Sequence, residues 1–429
     1  MKTKTDIMIA QNVYLTDKPN SNRNCLILGS SGSGKTGSYV VPYLLSTDES
    51  FLVCDTKMNL CSYGKYLARK GFKVININLV EPEKSTHGYD PLDYIRVEEK
   101  NGKRIYNQKD IITVSQMLCP VKIFDREPFW TSQAQMFISV LIAFVLDEFE
   151  GSERNLASVL DVYRYICESE ENNVIPFMED YCLKHPDSFA ANRYKMISSC
   201  FRSEKTWASI KYFVADALQI FEFGAVKKLL TKKRKFSISD LGRRKTACFV
   251  NISDTDRSLD TLGNLLYNQT MNVLCSDADR NKTSKLDVPC RLILDDAMSN
   301  VHIENLESVI SVVRSRDISV SMCLQSLSQI TSYYGRDRAN SIINNCDTFY
   351  YLGTSCLETA QYVSMRANIP VENVLSLDSS MGILLRRGEK PMKVKKIVPY
   401  SMVPKADFET AASTEKSTEE KGPDLNVQI

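Results

Sequence analysis

A glycine-rich segment near the amino terminus most constrains what this chain can fold into. It reads Gly29-Ser30-Ser31-Gly32-Ser33-Gly34-Lys35-Thr36, two glycines separated by four residues and followed by Lys-Thr, which is the spacing of a P-loop. The apolar run 24–28 before it predicts a buried strand. Segment 37–45 after it predicts a helix that Pro42 would kink or shorten. This strand–loop–helix context predicts binding of a nucleoside triphosphate; an accidental Gly/Ser surface loop is the alternative.

The residues of this loop have separate expected roles. Glycines let the backbone bend so that successive N–H groups point at one anion, and the helix start adds partial positive charge. Lys35 would reach the terminal phosphates, and Thr36 would hold Mg²⁺. The predicted nucleotide-binding residues are Gly29, Ser30, Ser31, Gly32, Ser33, Gly34, Lys35, Thr36 and Gly37.

Length and composition limit the possible classes of protein. A chain of 429 residues favours more than one domain. The formal net charge of +2 means that any nucleic-acid role rests on local patches or on assembly. Thirteen cysteines without a C-x-x-C pair, together with three histidines, give neither metal-site spacing nor a compact disulfide framework. This usage predicts reduced thiols in a cytosolic protein.

The most apolar run, 134–146, bears on membrane insertion. It is shorter than the roughly 20 residues that span a bilayer, so it predicts a core helix. The first residues lead into no apolar region of signal-peptide type. We therefore expect no membrane span in this chain.

The pattern of elements predicts an α/β protein with an insertion. Strands at 51–55 and 73–79, separated by a helix at 59–71, indicate a parallel sheet. From residue 107 onward, helical periodicity replaces this alternation. The expected division is a nucleotide-binding domain over 1–106 and 225–404, an all-α inserted domain over 107–224, and a disordered tail over 405–429.

A second nucleotide-site element follows where strands resume. After a strand at 246–252, the apolar run 290–294 ends in Asp295 and Asp296, a Walker B signature. Asp295 would bind the Mg²⁺ shell, and Asp296 would orient or deprotonate the attacking water. A strand that ends in an acidic turn gives the same pattern.

Two further side chains are candidates for nucleotide chemistry. The predicted strand 318–325 ends in Gln325, which can sense the γ-phosphate or position water. Arg314, on the preceding helix, can serve a neighbouring subunit as an arginine finger. Solvated arginines at a helix end are the alternative.

A basic block lies between the helices and the second group of strands. Such a block is either a phosphate-backbone footprint for DNA or plain solvated surface. Its members are Lys227, Lys228, Lys232, Lys233, Arg234 and Lys235.

The order of these motifs resembles the type IV coupling proteins, TraG/TraD-like ATPases that feed DNA to conjugative secretion channels. Besides the P-loop and the Asp295-Asp296 pair, the segments similar to family motifs are 55–59, 88–92, 127–130, 314–319, 325–326, 344–347 and 387–391. The likeness covers roughly residues 7–400.

The resemblance implies a RecA-like P-loop NTPase core, a mostly parallel sheet flanked by helices, with an inserted all-α domain. It implies hexameric rings that bind ATP and Mg²⁺ between subunits and handle DNA in a central channel. The implied catalytic residues are Lys35, Asp295, Asp296, Gln325 and, reaching the neighbouring subunit's ATP, Arg314. The basic block becomes a candidate DNA contact. Relaxase and secretion-channel proteins are implied partners, at the inner face of the plasma membrane.

Three departures from the family pattern keep other functions open. Family members usually begin with transmembrane helices, whereas this chain starts almost at the P-loop domain. Asp296 replaces Glu and is one methylene shorter, which would slow hydrolysis. Met58 and Asn59 replace Gly-Glu in the second motif. The alternatives are a weakly or non-hydrolysing adaptor that recruits relaxase or effector proteins, and a DNA-pumping motor of the FtsK or HerA kind.

Overall fold

The computed structural model describes residues 7–15, 21–100, 102–121, 127–167, 174–296, 301–398 and 402, so the predicted disordered tail at 405–429 lies outside the described residues. The strands are β1 (Ile7–Ala10), β2 (Val13–Leu15), β3 (Cys25–Leu28), β4 (Ser50–Asp55), β5 (Lys73–Asn78), β6 (Val97–Lys100), β7 (Lys103–Tyr106), β8 (Thr246–Asn251), β9 (Cys290–Asp295), β10 (Ile318–Leu324), β11 (Thr348–Tyr351), β12 (Met381–Arg386) and β13 (Met392–Lys395).

The α-helices alternate with the strands at both ends of the chain and fill its middle. They are α1 (Val41–Ser46), α2 (Gly64–Arg69), α3 (Gln108–Leu118), α4 (Pro128–Glu148), α5 (Leu156–Cys167), α6 (Val174–Lys184), α7 (Phe189–Ile197), α8 (Glu204–Leu218), α9 (Gly224–Thr231), α10 (Asp240–Arg243), α11 (Asp260–Arg280), α12 (Leu306–Val312), α13 (Leu327–Tyr334), α14 (Arg336–Asn344), α15 (Leu357–Ala367) and α16 (Val371–Leu375).

The main sheet has nine strands in the order β13-β12-β11-β3-β10-β9-β4-β8-β5. The seven strands from β11 to β5 run parallel, and β12 and β13 add an antiparallel edge. The central strands are buried along their whole length. Continuous apolar runs are typical of a parallel sheet covered on both faces. The predicted α/β core is confirmed.

The register of the parallel strands brings their ends to one edge. Leu28, at the end of β3, lies opposite Leu324 of β10 and Tyr351 of β11. Asp295, at the end of β9, lies opposite Cys323. The segments that follow these four strands therefore leave the sheet at the same edge.

The helical middle of the chain is an excursion between two neighbouring strands. β5 and β8 pair in parallel from Lys73 opposite Thr246 to Asn78 opposite Asn251, although α3–α10 separate them in sequence. Because the two strands are parallel, the excursion leaves the sheet at the carboxyl end of β5 and returns at the amino end of the adjacent β8. The predicted boundaries at 106/107 and 224/225 remain predictions.

The long helix α4 forms the centre of the inserted helices. It packs against α3, α5, α7 and α8, and Phe137 contacts the rings of Phe201 and Trp207 at centroid distances of 5.2 and 5.3 Å. By length and a mean hydropathy of 1.6, it is the one helix among the described residues that could cross a membrane, but 61% of that apolar window is buried in the protein. This packing is that of the core helix predicted for 134–146.

Two hairpins differ from the sequence expectation. The sequence pattern at 7–15 is that of a single edge strand, but the segment forms the hairpin β1–β2, because Asn12 takes a left-handed conformation with φ of 61° and reverses the chain. The hairpin β6–β7 was not predicted, since its residues are mostly charged and exposed and lack the apolar alternation of a half-buried strand. Both hairpins stand outside the main sheet.

The segment 88–91 joins the sheet domain to the inserted helices. Asp90 is fully buried and accepts backbone N–H groups from Leu92 at 2.8 Å and from Leu156, at the start of α5, at 3.3 Å. The Tyr89 hydroxyl donates to Gln269 Oε1 on α11 at 2.8 Å. Burial raises the pKa of Asp90 to about 7. A carboxyl group therefore lies at the junction in an environment that disfavours its charge.

The variant Asp90→Asn tests this environment through the pH dependence of stability. The unfolded carboxyl titrates near about 3.9, and the folded one at about 7. The stability that the protonated group contributes is thus fully present below about pH 4 and is lost as pH rises toward 7. We expect urea unfolding of wild type, relative to Asp90→Asn, to show this loss between about pH 4 and pH 7.

The comparison uses the difference between variants because His87 acts in the opposite direction. Burial lowers its pKa to about 4, so its contribution is lost as pH falls; it is common to both proteins and cancels. Asp187→Asn, at an exposed position, is the matched control and should track wild type. If the free energy of unfolding of wild type and of Asp90→Asn depends on pH in the same way, Asp90 does not have a raised pKa in the folded protein.

Candidate functional site

The P-loop closes on itself in a way that requires its two motif glycines. Ser33 N–H donates to the Ser30 carbonyl at 3.1 Å, and Gly29 N–H donates to the Leu324 carbonyl at 3.0 Å. A Cβ atom on Gly29 would lie 2.2 Å from Ser33 Oγ, so no side chain fits there. Gly34 has a φ of +94°, a left-handed conformation that glycine adopts without steric cost.

The helix after the loop is widened at its start. Thr36–Val40 forms a π-turn in which the Val41 N–H bonds to the Thr36 carbonyl, and the helix continues as α1. Pro42 has no N–H to donate, and its ring would clash with a carbonyl four residues earlier at ideal α-helical spacing. The predicted distortion at Pro42 therefore takes the form of a π-turn, a feature that often accompanies functional sites.

Lys35 lies along the loop with its amine inside. Nζ donates to the Gly29 carbonyl at 2.9 Å and to the Ser30 carbonyl at 3.3 Å. It also lies 3.2 Å from Asp296 Oδ1, and Lys35 is 4% exposed. The structure thus brings the P-loop cation and the second acidic residue of the Walker B pair together.

Thr36 and Asp295 form the part of the site suited to a divalent cation. The Thr36 hydroxyl donates to Asp295 Oδ2 at 2.6 Å. Asp295 Oδ1 is buried and accepts no hydrogen bond from an N–H or O–H group of the described residues. Burial raises the pKa of Asp295 to about 6; the Thr36 hydrogen bond opposes the rise and the charge of Asp296 adds to it. Hydroxyl and carboxylate oxygens are the ligands that Mg²⁺ prefers, so these residues fit that ion.

Asp296 has an unusual backbone conformation. Its φ is 49°, in the left-handed region. Asp enters this region more readily than residues with longer side chains, because its short polar side chain can hydrogen-bond locally. The left-handed backbone at this position therefore favours Asp over the Glu of the family pattern. Segment 297–300, which follows, lies outside the described residues.

Gln325 follows β10 directly and lies next to the P-loop. Its backbone N–H donates to Gln329 Oε1 at 2.7 Å, and the residue is exposed. Because Leu324 accepts the Gly29 N–H, the residue after it borders the first glycine of the loop.

The segment after β11 flanks the other side of the P-loop and was not predicted as part of the site. The Gly353 carbonyl accepts the Ser30 N–H at 2.9 Å, and Ser30 Oγ donates to Thr354 Oγ1 at 3.2 Å. The Ser355 N–H donates to Ser30 Oγ at 3.2 Å. A Gly-Thr-Ser run directly after a predicted strand was the available signal, since small polar residues there face the ligand edge of a parallel sheet.

Arg314 lies at the opposite edge of the sheet. It belongs to the 3₁₀ turn Val313–Arg316, which precedes β10. β10 has seven residues, and at about 3.3 Å per residue its two ends are about 20 Å apart. Arg314 and Arg316 line an open cleft of about 590 Å³ at that edge. Arg314 therefore cannot reach the P-loop of its own chain.

The basic block is divided between anchored and exposed side chains. Lys232 Nζ donates to the Ser85 carbonyl, and Lys235 Nζ donates to Asp93 Oδ2 at 2.8 Å. Lys227 also has an acidic neighbour, at 3.6 Å. Part of the block thus holds α9 and the residues after it to the segment before α3. The other three basic side chains are exposed: Lys228, Lys233 and Arg234.

The motif at 55–59 forms a capped turn. Asp55 accepts N–H groups from Asn59 at 3.1 Å and from Leu60 at 2.8 Å, and it is buried. Met58 has a φ of 52°, a conformation that glycine adopts at lower cost. This backbone conformation explains why the family pattern has glycine at this position. In this chain the same turn forms with Met58 in its place.

Comparison with known proteins agrees with the motif order. A family model described as "Type IV secretory system Conjugative DNA transfer" matches residues 2–368. The chain is similar to Protein VirD4 of Agrobacterium fabrum (strain C58), with 22% identity over 429 residues, 90% of this chain and 60% of the relative. Protein VirD4 of Rhizobium radiobacter is 23% identical, over 90% of this chain and 58% of the relative. The chain thus spans about 60% of the length of these relatives.

Solved structures show the same fold. The plasmid coupling protein TrwB in complex with ADP and Mg²⁺ superposes with a TM-score of 0.66 at 15% identity, covering 93% of this chain and 90% of that one. VirB4 of Thermoanaerobacter pseudethanolicus gives a TM-score of 0.55 at 11% identity, covering 95% and 99%. The predicted RecA-like P-loop NTPase core with a helical insertion is confirmed.

Proposed function

Because the chain belongs to the type IV secretory system conjugative DNA transfer family, we propose that it is an ATP-driven coupling protein. It moves DNA, or a relaxase–DNA complex, to the secretion channel. It works at the inner face of the plasma membrane, next to the secretion channel. ATP with Mg²⁺ is the energy source.

One observation carries the ATPase part of this proposal. The P-loop and the Walker B strand meet through two side-chain contacts, Thr36 with Asp295 at 2.6 Å and Lys35 with Asp296 at 3.2 Å. A hydroxyl, a buried carboxylate, a lysine and a second carboxylate at one sheet edge are the groups that phosphoryl transfer requires.

The residues divide the work as follows. The P-loop amides and Lys35 would hold the phosphates, and Thr36 and Asp295 would hold Mg²⁺, which would supply positive charge next to the phosphate oxygens. Asp296 accepts the proton of the attacking water, and Gln325 orients that water. The short side chain of Asp296 favours a second candidate, an ATP-binding adaptor that hydrolyses weakly or not at all.

Steady-state ATP hydrolysis with and without DNA separates these candidates. We expect turnover that rises with single- or double-stranded DNA and falls at least about 100-fold in Lys35→Ala, because the phosphates lose their cation. Asp296→Glu, whose carboxylate reaches one methylene farther, should raise turnover roughly tenfold. MgADP affinity, measured in parallel, controls for the poorer fit of Glu to the left-handed backbone at this position.

Other results would point elsewhere. A silent wild type with an active Asp296→Glu variant would establish the adaptor. Full turnover in Lys35→Ala would overturn the P-loop assignment. A DNA-independent rate in a wild type that binds DNA would contradict the motor.

The position of Arg314 supports assembly in a ring. Since the residue lies about 20 Å along β10 from its own P-loop, it can serve a nucleotide only in a neighbouring subunit. A head-to-tail interface of this kind closes into a ring when the rotation permits, and we propose a homohexamer. The turn that carries Arg314 is held in place by Arg316, which bonds to Asp279 at 2.8 Å, and by Lys285, which bonds to Asp317 at 3.1 Å.

Mixing two inactive variants tests the action in trans. Arg314→Ala keeps its P-loop but lacks the finger, whereas Lys35→Ala keeps the finger but lacks a working P-loop. In equimolar mixed rings, about one interface in four combines an intact P-loop with an intact Arg314, so about a quarter of wild-type turnover should return. The control mixes Arg314→Ala with the double variant Lys35→Ala/Arg314→Ala, which has no finger to donate. This mixture should restore no turnover. Absence of complementation in rings shown to be mixed would contradict the proposal.

The exposed half of the basic block is the proposed DNA contact. Lys232 and Lys235 hold the chain together, so their reversal would confound binding with folding. We therefore expect the reversal of Lys228, Lys233 and Arg234 to Glu to weaken DNA binding across sequences. The slope of log affinity against log salt should fall by up to about 3, one for each lost phosphate contact.

A variant of equal charge change controls for nonspecific repulsion. It carries Glu at three exposed lysines elsewhere: Lys65, Lys109 and Lys390. If both triple variants lose DNA affinity equally, the effect is one of net charge. The block is then plain surface.

A further inference from the structure

Lys396 is a buried cation that contacts the P-loop from the carboxyl-terminal end of the described chain. It follows β13 directly and is 7% exposed. Its Nζ donates to the Ser33 carbonyl at 2.9 Å and to the Leu352 carbonyl at 2.8 Å. Ser33 lies in the P-loop, and Leu352 follows β11, so one ammonium group joins two segments that border the nucleotide site.

The contact with Ser33 orients a peptide of the P-loop. In a trans peptide, the C=O and the following N–H point in opposite directions. A Ser33 carbonyl directed at Lys396 therefore turns the Gly34 N–H to the other side of the loop. P-loops bind anions through backbone N–H groups that converge on one side. Rotation of this peptide would replace a donor with a carbonyl oxygen, which repels phosphate.

The anchoring of Lys396 makes it a rigid support. Its backbone N–H donates to the Ser380 carbonyl at 2.8 Å, and Ser380 N–H in turn donates to Asp378 Oδ1 at 2.8 Å. Both acceptors of the ammonium group are backbone carbonyls. Burial lowers the pKa of Lys396, and the charge of Asp378 opposes this.

We propose that Lys396 is a positioning residue for phosphate binding. It holds the Ser33–Gly34 peptide so that the Gly34 N–H faces the nucleotide, and it fixes the loop against the segment after β11. The inference rests on the proposed function, since it assigns a role within the same nucleotide site. A merely structural lysine is the competing explanation, because losing it leaves two buried carbonyls without their donor and lowers stability in either case.

Phosphate dependence of binding separates positioning from stability. MgADP and AMP are titrated in competition with a fluorescent adenine nucleotide. The proteins compared are the full chain and its Lys396→Met, Lys396→Arg and Lys395→Met variants. Lys395 is the adjacent exposed lysine and serves as the matched control. AMP lacks the second phosphate and depends less on the P-loop amides. All titrations are run well below each variant's measured melting temperature.

We expect Lys396→Met to raise the Kd for MgADP about tenfold, the scale of one charge-assisted hydrogen bond, and the Kd for AMP less than about twofold. Lys396→Arg should recover most of the MgADP affinity, because its guanidinium can donate to both carbonyls. Lys395→Met should match wild type. If Lys396→Met does not fold, Lys396→Gln, which keeps a donor without the charge, takes its place.

Two results would overturn the inference. One is an unchanged MgADP affinity in a folded Lys396 variant that lacks the cation. The other is an equal loss for MgADP and AMP, which marks a general structural defect. A wild type that binds neither nucleotide would instead overturn the proposed function, and the inference with it.

Discussion

The parallel pairing of β3 between β10 and β11 is the constraint on which the rest of the structure depends. With Leu28 opposite Leu324 and Tyr351, the P-loop, Gln325 and the segment after β11 all leave the sheet at one edge. β9, paired on the far side of β10, adds the two aspartates. A register shift of one residue would turn each strand over and separate these groups. The chemistry of the site therefore rests on backbone hydrogen bonds within the sheet.

The same strands separate two functions that sequence places close together. Arg314 and Gln325 are eleven positions apart in the sequence, yet they lie at opposite ends of β10, about 20 Å apart. The end at Gln325 borders the P-loop of its own chain. In the proposed mechanism the end at Arg314 serves the nucleotide of a neighbouring subunit, so turnover is expected only in an assembly. The inserted helices join this core through segment 88–91, where Asp90 contacts the start of α5.

Several contacts around the P-loop come from distant parts of the chain. Gly353 and Thr354 hold Ser30 from one side, and Lys396 holds Ser33 across 363 positions of sequence. The acceptors of the Ser30 N–H and of Lys396 Nζ are backbone carbonyls, which every residue carries, so the sequence does not reveal which segment will approach the loop. The basic block shows the opposite case. Its composition identifies it as a basic cluster in the sequence. However, Lys232 and Lys235 bond to other parts of the same chain, so fewer of its side chains can contact DNA than the charge count indicates.

The sequence by itself determined the local parts of the structure. The spacing of the P-loop residues identifies the phosphate-binding loop. The apolar runs that end in Asp295 and Gln325 identify two strands and their ends. Both signals lie within a few neighbouring residues. Pro42 predicted a helix distortion for the same reason. The tertiary structure alone decided the strand order, the opposite placement of Arg314 and the approach of Lys396, since these depend on which strands pair. It also decided the left-handed backbone at Asp296 and at Met58, a conformation that a non-glycine residue keeps only where the surrounding structure holds it, as the Asp55 cap does around Met58.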